Sequence, residues 1–152
     1  MLYRPYTPAD FATLYAIEEL CFQPPIRFSR IYMQRLIAST DSATWVAEED
    51  FELAGFTIVE WYGEPSVGRV AYIQTIEVAP AFRRRGIASE LLRRAEASAR
   101  ASGAGLIWLH VESTNAAAIR LYGVHGFTHH GHEDHYYARG RNAEIYSKPL
   151  AS

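Results

Sequence analysis

The sequence predicts a single mixed α/β domain spanning residues 1–152, and three observations support this. A length of 152 residues is typical of one domain that can bury a sizeable core. Hydrophobic residues make up 49% of the chain, as in ordinary globular proteins. In some segments apolar residues recur with the period of a strand, and in others with the period of a helix. The sequence of these segments indicates the order β-α-α-β-β-β-α-β-α-β-β.

The first half of the chain is predicted to hold two helices and four strands. A helix begins near Thr7, because Thr7 can cap it, Pro8 suits its first position and Asp10 favours its positive end. Two consecutive prolines end this helix, and a second helix covers residues 29–38. Strands are expected at residues 2–6, 44–49, 53–62 and 69–78.

The second half alternates between helix and strand. A helix opens at Gly86 and runs to about residue 102, where Gly103 is a natural stop. A buried strand follows at residues 106–111. The segment Ser113-Thr114-Asn115 offers caps for another helix, which Gly126 ends. The last two strands fit residues 127–137 and 143–149.

The bulk composition disfavours several classes of protein. A formal net charge of −2 gives no general reason to bind nucleic acid. We find no apolar run that could span a membrane and no signal-peptide pattern, so no membrane partner is expected. Cys21 is the only cysteine, which excludes an intrachain disulfide and makes the cytoplasm the expected location.

The stretch RRRGIA, from Arg83 to Ala88, concentrates positive charge at the start of a predicted helix. Backbone N–H groups in a first helical turn have no intrahelical partners, and the helix dipole favours negative charge there. Gly86 has no side chain, so a pyrophosphate could approach the backbone closely. On these grounds alone a solvated basic turn is an equally good interpretation. The pattern is neither a dinucleotide fingerprint nor a P-loop.

Two motifs resemble those of a known family. Motif A of the GNAT superfamily of acetyl-CoA-dependent N-acetyltransferases reads Arg/Gln-x-x-Gly-x-Gly/Ala, and VAPAFRRRGIA resembles it through Arg83, Gly86 and Ala88. A second family segment, Asn-x-x-Ala-x-x-Leu-Tyr…Gly-Phe, is similar to NAAAIRLY followed by Gly126-Phe127. The resemblance covers nearly the whole chain. It implies a single-domain GNAT-like fold: a mixed, mostly antiparallel sheet with splayed central strands and flanking helices.

The resemblance also implies where acetyl-CoA binds. Amides at the helix start would hold the pyrophosphate, backbone groups of one strand would pair with the pantetheine arm, and the thioester would lie between the splayed strands. The implied cofactor-binding residues are Ile76, Val78, Arg83, Arg84, Arg85, Gly86, Ile87, Ala88 and Asn115.

Acetyl transfer to an amine requires a proton donor for the leaving thiolate and a proton acceptor for the amine. The resemblance gives Tyr122 as the donor, because a phenol with an ordinary pKa of about 10 is protonated at neutral pH. His110, with an ordinary pKa of about 6.5, is the predicted acceptor. Tyr72 on the neighbouring strand could hold a water that relays the proton. Glu112 on the same strand face and Glu77, expected at the surface or filling the gap, are alternative bases.

Two segments resemble protein N-terminal acetyltransferases, the ribosomal-protein-alanine type among them: YIQT, which begins at Tyr72, and LHV, which contains His110. In one such subfamily a Tyr and a His at these positions act together on a water, whereas the ribosomal type usually carries Glu where His110 stands. The resemblance implies a protein or peptide α-amine as the acceptor. The implied substrate-binding residues are Phe22, Pro24, Pro25, Tyr136 and Tyr137.

Other interpretations stay open at this point. The acceptor could be a small-molecule amine or a lysine side chain, or the chain could be a coenzyme A sensor without turnover. A segment rich in histidine is predicted to be an exposed edge rather than a metal site; it contains His129, His130, His132 and His135. A monomer and a homodimer are both compatible with the sequence.

Overall fold

The computed structural model describes residues 1–66 and 68–150, and its elements follow the predicted order. The strands are β1 (Leu2–Pro5), β2 (Ser42–Glu49), β3 (Glu52–Tyr62), β4 (Val70–Val78), β5 (Leu106–Glu112), β6 (Thr128–Ala138) and β7 (Arg141–Pro149). The helices are α1 (Phe11–Cys21), α2 (Arg30–Ala38), α3 (Ile87–Ala101) and α4 (Ala116–Val124). Among these described helices, none combines the length and the hydropathy needed to cross a membrane.

The first helix begins later than predicted. Pro8–Asp10 forms a 3-10 turn, and α-helical geometry starts at Phe11. Asp10 joins this turn to β1, because both terminal nitrogens of Arg4 contact its carboxylate at 2.8 Å and the Thr7 N–H donates to it at 2.8 Å. The Arg4 hydrogen bonds lower the pKa of Asp10 to about 2. The turn is therefore fixed by a paired carboxylate.

The seven strands form one sheet in the order β1-β2-β3-β4-β5-β7-β6. Every neighbouring pair is antiparallel except β4 and β5, which are parallel. These two strands pair only where residues 70–72 face residues 106–108. Beyond Tyr72 and Trp108 they separate, so the sheet opens at its centre. The predicted splay of the central strands is confirmed.

The helices cover both faces of the sheet. Trp45 of β2 donates its indole N–H to Ser98 on α3 at 2.9 Å. The next residue, Val46, is buried in a cluster with Leu14 of α1 and Met33 of α2. Because successive strand residues point to opposite faces, α1 and α2 lie on one face and α3 lies on the other.

An irregularity in β4 changes which side chains face α1. Ile58 of β3 pairs with Thr75, whereas the next residue, Val59, pairs with Ile73, so Gln74 is an extra residue in β4. A single extra residue reverses the alternation of side chains beyond it. Glu77 therefore points to the face covered by α1. In a strand without the extra residue, its side chain would point to the opposite face.

Candidate active site

A cavity of about 500 Å³ opens where β4 and β5 separate. Its walls come from the α1–α2 loop, the ends of β4 and β5, α4 and the β6–β7 hairpin. Among the residues predicted for a site, nine line this cavity: Phe22, Tyr72, Ile76, His110, Glu112, Asn115, Tyr122, Tyr136 and Tyr137. The helix start at Gly86 lies outside the lining, beyond the end of β4.

Tyr72 and His110 are joined directly at the point where the strands part. The Tyr72 hydroxyl lies 2.7 Å from His110 Nδ1. Trp108 packs edge-on against Tyr72 at 4.6 Å, and Tyr136 stacks on the His110 ring at 4.0 Å and 11°. Burial raises the pKa of Tyr72 well above its usual value, so its hydroxyl stays protonated at neutral pH. The sequence suggested a bridging water between these residues, and the structure gives a direct hydrogen bond.

Tyr122 lies on the α4 side of the cavity. Its side chain is buried against Phe127, with the ring centres 5.5 Å apart, and burial raises its pKa well above the usual value. Within residues 1–66 and 68–150 its hydroxyl has no hydrogen-bond partner. Asn115 holds the start of this helix, because its Oδ1 accepts from the Ala118 N–H at 3.1 Å. The Asn115 side-chain oxygen therefore caps α4, and the predicted contact of Asn115 with the cofactor stays a prediction.

Gly86 shapes the start of α3. Its φ of 78° is left-handed, a conformation that costs other residues about 1–2 kcal/mol. The first helical hydrogen bond runs from Glu90 N to Gly86 O at 3.2 Å, which leaves the N–H groups of Ile87 and Ala88 without intrahelical acceptors. A Cβ built on Gly86 would meet no atom of the described residues within 4 Å. This open concave turn of free amides fits a pyrophosphate.

The three arginines before Gly86 differ in what they contact. Arg83 donates through Nε to Val78 O at 3.1 Å, and Arg85 donates to Glu49 Oε1 at 2.6 Å. Arg84 is exposed and has a left-handed φ of 65°. Two of the three charges are thus engaged by the protein itself.

The end of β4 presents backbone groups to the gap. Ala79 N donates to Ala54 O at 2.8 Å, so in this antiparallel pair the alternate residues Val78 and Ile76 point their N–H and C=O groups away from β3. Those groups face the side on which β5 has separated. The Val78 carbonyl also accepts from Arg83 Nε at 3.1 Å, so the predicted strand-like pairing with a pantetheine arm stays a prediction.

The loop between α1 and α2 differs from the prediction at its prolines. Pro24 and Pro25 are exposed and do not line the cavity, because the turn is closed by the Ile26 N–H donating to Gln23 O at 2.9 Å. The loop wall consists instead of Phe22, Ile26, Phe28 and Tyr32.

The opposite wall depends on an irregular hairpin. Residues 134–137 stand opposite Asn142 alone, since Glu133 pairs with Ala143 and Ala138 with Arg141. Asn142 accepts from the His135 N–H at 2.9 Å, and His135 is left-handed with a φ of 57°. This wide bulge is the segment that brings Tyr136 and Tyr137 into the cavity.

The histidine-rich segment forms the exposed edge strand β6. Glu144 of β7 contacts His129 at 2.7 Å and His132 at 2.6 Å. Hydrogen bonds from Ser113 and these histidines lower the pKa of Glu144 to about 2, and Glu144 and Asp134 raise the pKa of His132. Within the described ranges, no group of three or more side chains is arranged to hold a metal ion.

Glu77, expected at the surface or in the gap, is buried beside a second carboxyl group. Glu77 is 3% exposed and Glu18 of α1 is 1% exposed. Glu77 Oε2 accepts from the Thr75 hydroxyl at 2.7 Å, and Glu18 Oε2 accepts from the Phe28 N–H at 3.0 Å. In the described chain neither Oε1 has a hydrogen-bond donor. Burial, and then the neighbouring Glu18, raise the pKa of Glu77.

This carboxyl pair predicts an unusual dependence of stability on pH. The native state holds a proton on Glu77 at pH values where the unfolded chain has lost it, so the free energy of unfolding falls as pH rises above the ordinary glutamate pKa. One such proton contributes a slope of about 1.4 kcal/mol per pH unit until the raised pKa is passed. Glu77→Gln removes this slope and gives Glu18 a donor. We expect the variant to be more stable than wild type at pH 8, with a smaller advantage at pH 5.

Urea unfolding at several pH values between 5 and 8 measures this difference, with the exposed Glu52→Gln as the matched control. Parallel pH profiles for wild type and Glu77→Gln would show that Glu77 is ionised in the native protein.

Several residues of the site were missed at the sequence level. Trp108 donates to the Tyr62 hydroxyl at 2.8 Å, and both line the cavity. Trp108 lies two residues before His110, so strand alternation could have placed it on the same face. Glu18 and Glu133 carried no such signal, because their positions depend on the packing of α1 and on the register in which β6 pairs with β7.

Fold and site together define a class of protein. A parallel strand pair that opens beside a glycine-capped helix start offers continuous backbone donors and acceptors to an extended ligand with a pyrophosphate. The adjoining cavity is lined by the Tyr122 phenol and by the Tyr72–His110 pair. This is the arrangement of an acyltransferase with a coenzyme A thioester as donor.

The chain belongs to the acetyltransferase (GNAT) family, whose family model matches residues 11–127. It is 39% identical over 114 residues to a streptothricin acetyltransferase of Streptomyces lavendulae, covering 72% of this chain and 59% of that protein. It is 31% identical over 118 residues to an N-alpha-acetyltransferase of Sulfurisphaera tokodaii, covering 72% of this chain and 71% of that protein.

Solved structures share the fold. Arabidopsis thaliana NAA60 in complex with acetyl-CoA superimposes with a TM-score of 0.84 at 24% identity, covering 98% of each chain. The predicted GNAT-like fold is confirmed. The chain is an acetyltransferase, and acetyl-CoA is its acyl donor.

Proposed function

We propose that this acetyltransferase modifies the N-terminal α-amine of a protein or peptide. The observation that supports this best is the Tyr72–His110 hydrogen bond of 2.7 Å at the strand opening. It provides a mild proton acceptor at the place where the amine must approach. Glu112, the alternative base on the same strand face, is held by Arg141 through two hydrogen bonds of 2.6 and 2.8 Å.

The pKa of the acceptor amine decides how strong a base is needed. A peptide α-amine has an ordinary pKa near 7.7–8.0, so roughly a tenth or more is neutral at pH 7. A lysine amine, with a pKa near 10.4, is neutral in well under a thousandth of molecules. A Tyr–His pair therefore suits the α-amine, because little deprotonating power is required.

Each residue has a defined part in the proposed reaction. The acetyl-CoA thioester supplies a carbonyl group that a neutral amine can attack. Tyr72 and His110 take up the proton that the amine loses, and Tyr122 donates a proton to the departing sulfur. Phe22, Tyr136 and Tyr137 bound the acceptor side, where tyrosine hydroxyl groups can bind peptide backbone without reading its sequence.

The charge of the cavity favours an amine. Glu18, Glu60 and the Arg141-paired Glu112 line it, and none of the described lining residues is lysine or arginine. The N-alpha-acetyltransferase of Sulfurisphaera tokodaii, 31% identical, supports the same acceptor class. With a single cysteine in the chain, a cytoplasmic location forms part of the proposal.

A peptide that carries a free N-terminus and one internal lysine tests the proposal. We expect acetylation at the α-amine and little at the lysine, as measured by tandem mass spectrometry of the product. The matched control is the same peptide with its N-terminus blocked, which should consume little acetyl-CoA. Exclusive modification of the lysine would overturn the assignment while leaving the acetyl-CoA site intact.

A small cationic amine is the second candidate acceptor. The 39% identity to a streptothricin acetyltransferase favours it, and so do the three glutamates of the cavity. The same acetyl-CoA consumption assay with streptothricin and simple polyamines decides between the two. Activity confined to those compounds would replace the peptide acceptor by this one.

A further inference from the structure

Glu133 of β6 extends the Tyr72–His110 contact into a chain of three side chains. Its Oε1 lies 3.1 Å from His110 Nε2, on the side of the ring opposite to Nδ1. The His110 side chain is 7% exposed, whereas that of Glu133 is 47% exposed. Both ring nitrogens of His110 are thus occupied, one by a phenol and one by a carboxylate at the edge of the cavity.

The chemistry of the two partners selects one form of the imidazole. An ionised carboxylate only accepts hydrogen bonds, so His110 Nε2 must carry a proton to bond with Glu133. In the neutral ring Nδ1 is then the acceptor, and the Tyr72 hydroxyl donates to it. The sequence of donors and acceptors is continuous: Tyr72 donates to His110, and His110 donates to Glu133.

Other acidic groups near His110 are engaged elsewhere. Glu112 follows on the same strand face but is held by Arg141. Asp134 and Glu144 contact His132 at 2.6 Å each. In the sheet register Ala143 of β7 lies between Glu133 and Glu112, and its small side chain lets the Glu133 carboxylate pass over β7 to His110.

We propose that Glu133 is a positioning residue that fixes the His110 tautomer and stabilises the imidazolium formed during acetyl transfer. This inference rests on the proposed role of Tyr72 and His110 as the proton acceptor. When the amine loses its proton to the Tyr72 oxygen, the Tyr72 hydroxyl proton moves to His110 Nδ1. The neutral imidazole becomes an imidazolium beside the Glu133 carboxylate. Tyr72 has gained one proton from the amine and lost one to His110, so it ends as a neutral phenol.

Glu133→Gln tests the proposal because the amide retains the size of the side chain but not its charge. An amide can donate as well as accept, so it no longer forces the proton onto Nε2. We expect kcat to fall about tenfold, the size expected for losing a hydrogen bond to a charged group, with the acetyl-CoA dissociation constant unchanged. Glu52→Gln is the matched control, since it makes the same change at an exposed glutamate outside the cavity lining; it should retain the wild-type rate.

A spectroscopic measurement separates positioning from a structural effect. In ¹⁵N NMR of histidine-labelled protein above the histidine titration range, the His110 signals, identified by their loss in His110→Ala, should report protonated Nε2 and unprotonated Nδ1. In Glu133→Gln they should shift towards a mixture of tautomers. A wild-type tautomer in Glu133→Gln, or a shifted tautomer with an undiminished rate, would overturn the proposal.

The two levels of inference fail in distinguishable ways. A wild-type rate in His110→Ala would show that His110 is not the proton acceptor, and Glu133 would then have no role in catalysis through it. A slow His110→Ala variant together with a fast Glu133→Gln variant would overturn the role of Glu133 alone.

Discussion

Tyr122→Phe is expected to lower kcat by about 10²- to 10⁴-fold, the range for losing a general acid. The phenol is buried at the cavity and burial raises its pKa, so it holds its proton at neutral pH and can give it to the leaving sulfur. Its hydroxyl bonds to no other part of the described chain. Phenylalanine therefore keeps the packing against Phe127 and removes only the proton donor.

Steady-state kinetics together with calorimetric titration of acetyl-CoA separates the two possible effects. The acetyl-CoA dissociation constant of Tyr122→Phe should match that of wild type, because the pyrophosphate site at Gly86 is not altered. Tyr146→Phe, a change of the same kind at a half-buried tyrosine outside the cavity lining, should leave both values unchanged. A wild-type kcat in Tyr122→Phe would mean that another group or water protonates the sulfur.

Gly86→Leu is expected to weaken acetyl-CoA binding at least about 100-fold. A leucine side chain would fill the open space over the first turn of α3 and keep a pyrophosphate from the amides of Ile87 and Ala88. Hydrogen bonds to a charged group contribute about 1.5–3 kcal/mol each, so losing two of them accounts for this factor. The effect should appear in the dissociation constant measured by calorimetry.

Two further variants separate bulk from backbone strain. In Gly86→Ala the backbone must still adopt the left-handed φ, so this variant should lose about 1–2 kcal/mol of stability. Its affinity for acetyl-CoA should fall much less than that of Gly86→Leu, because the alanine side chain is small. Gly103→Ala has a comparable strain at the far end of α3, where φ is 92°, and should bind acetyl-CoA normally. Undiminished affinity in folded Gly86→Leu would contradict a phosphate site at this turn.

Much of the fold could be predicted because its signals are local. Ser29 and Asn115 cap helices through their own side chains, accepting from the N–H groups of Tyr32 and Ala118. Gly86 adopts a positive φ within a single turn. Each of these features depends on a few consecutive residues, so the sequence is sufficient to place them.

The candidate site was harder to predict, because its side chains come from separate elements. Tyr72, His110 and Tyr122 could be nominated from their positions in recognisable segments, and all three line one cavity. The exposure of Pro24 and Pro25 could not be predicted, because it reflects how the turn closes in three dimensions.

The sequence by itself determined the order of the elements, the glycine-capped helix start and the residue types available for proton transfer. Only the tertiary structure decided where Glu77 and Glu133 point. Gln74 is an extra residue in β4, and His130 is an extra residue in β6, since His129 pairs with Tyr146 and Gly131 with Ile145, so side-chain alternation changes beyond both places. An extra residue exists only relative to a partner strand. The pattern of one strand therefore cannot reveal it, and the pairing that buries Glu77 and brings Glu133 to His110 forms only when the sheet assembles.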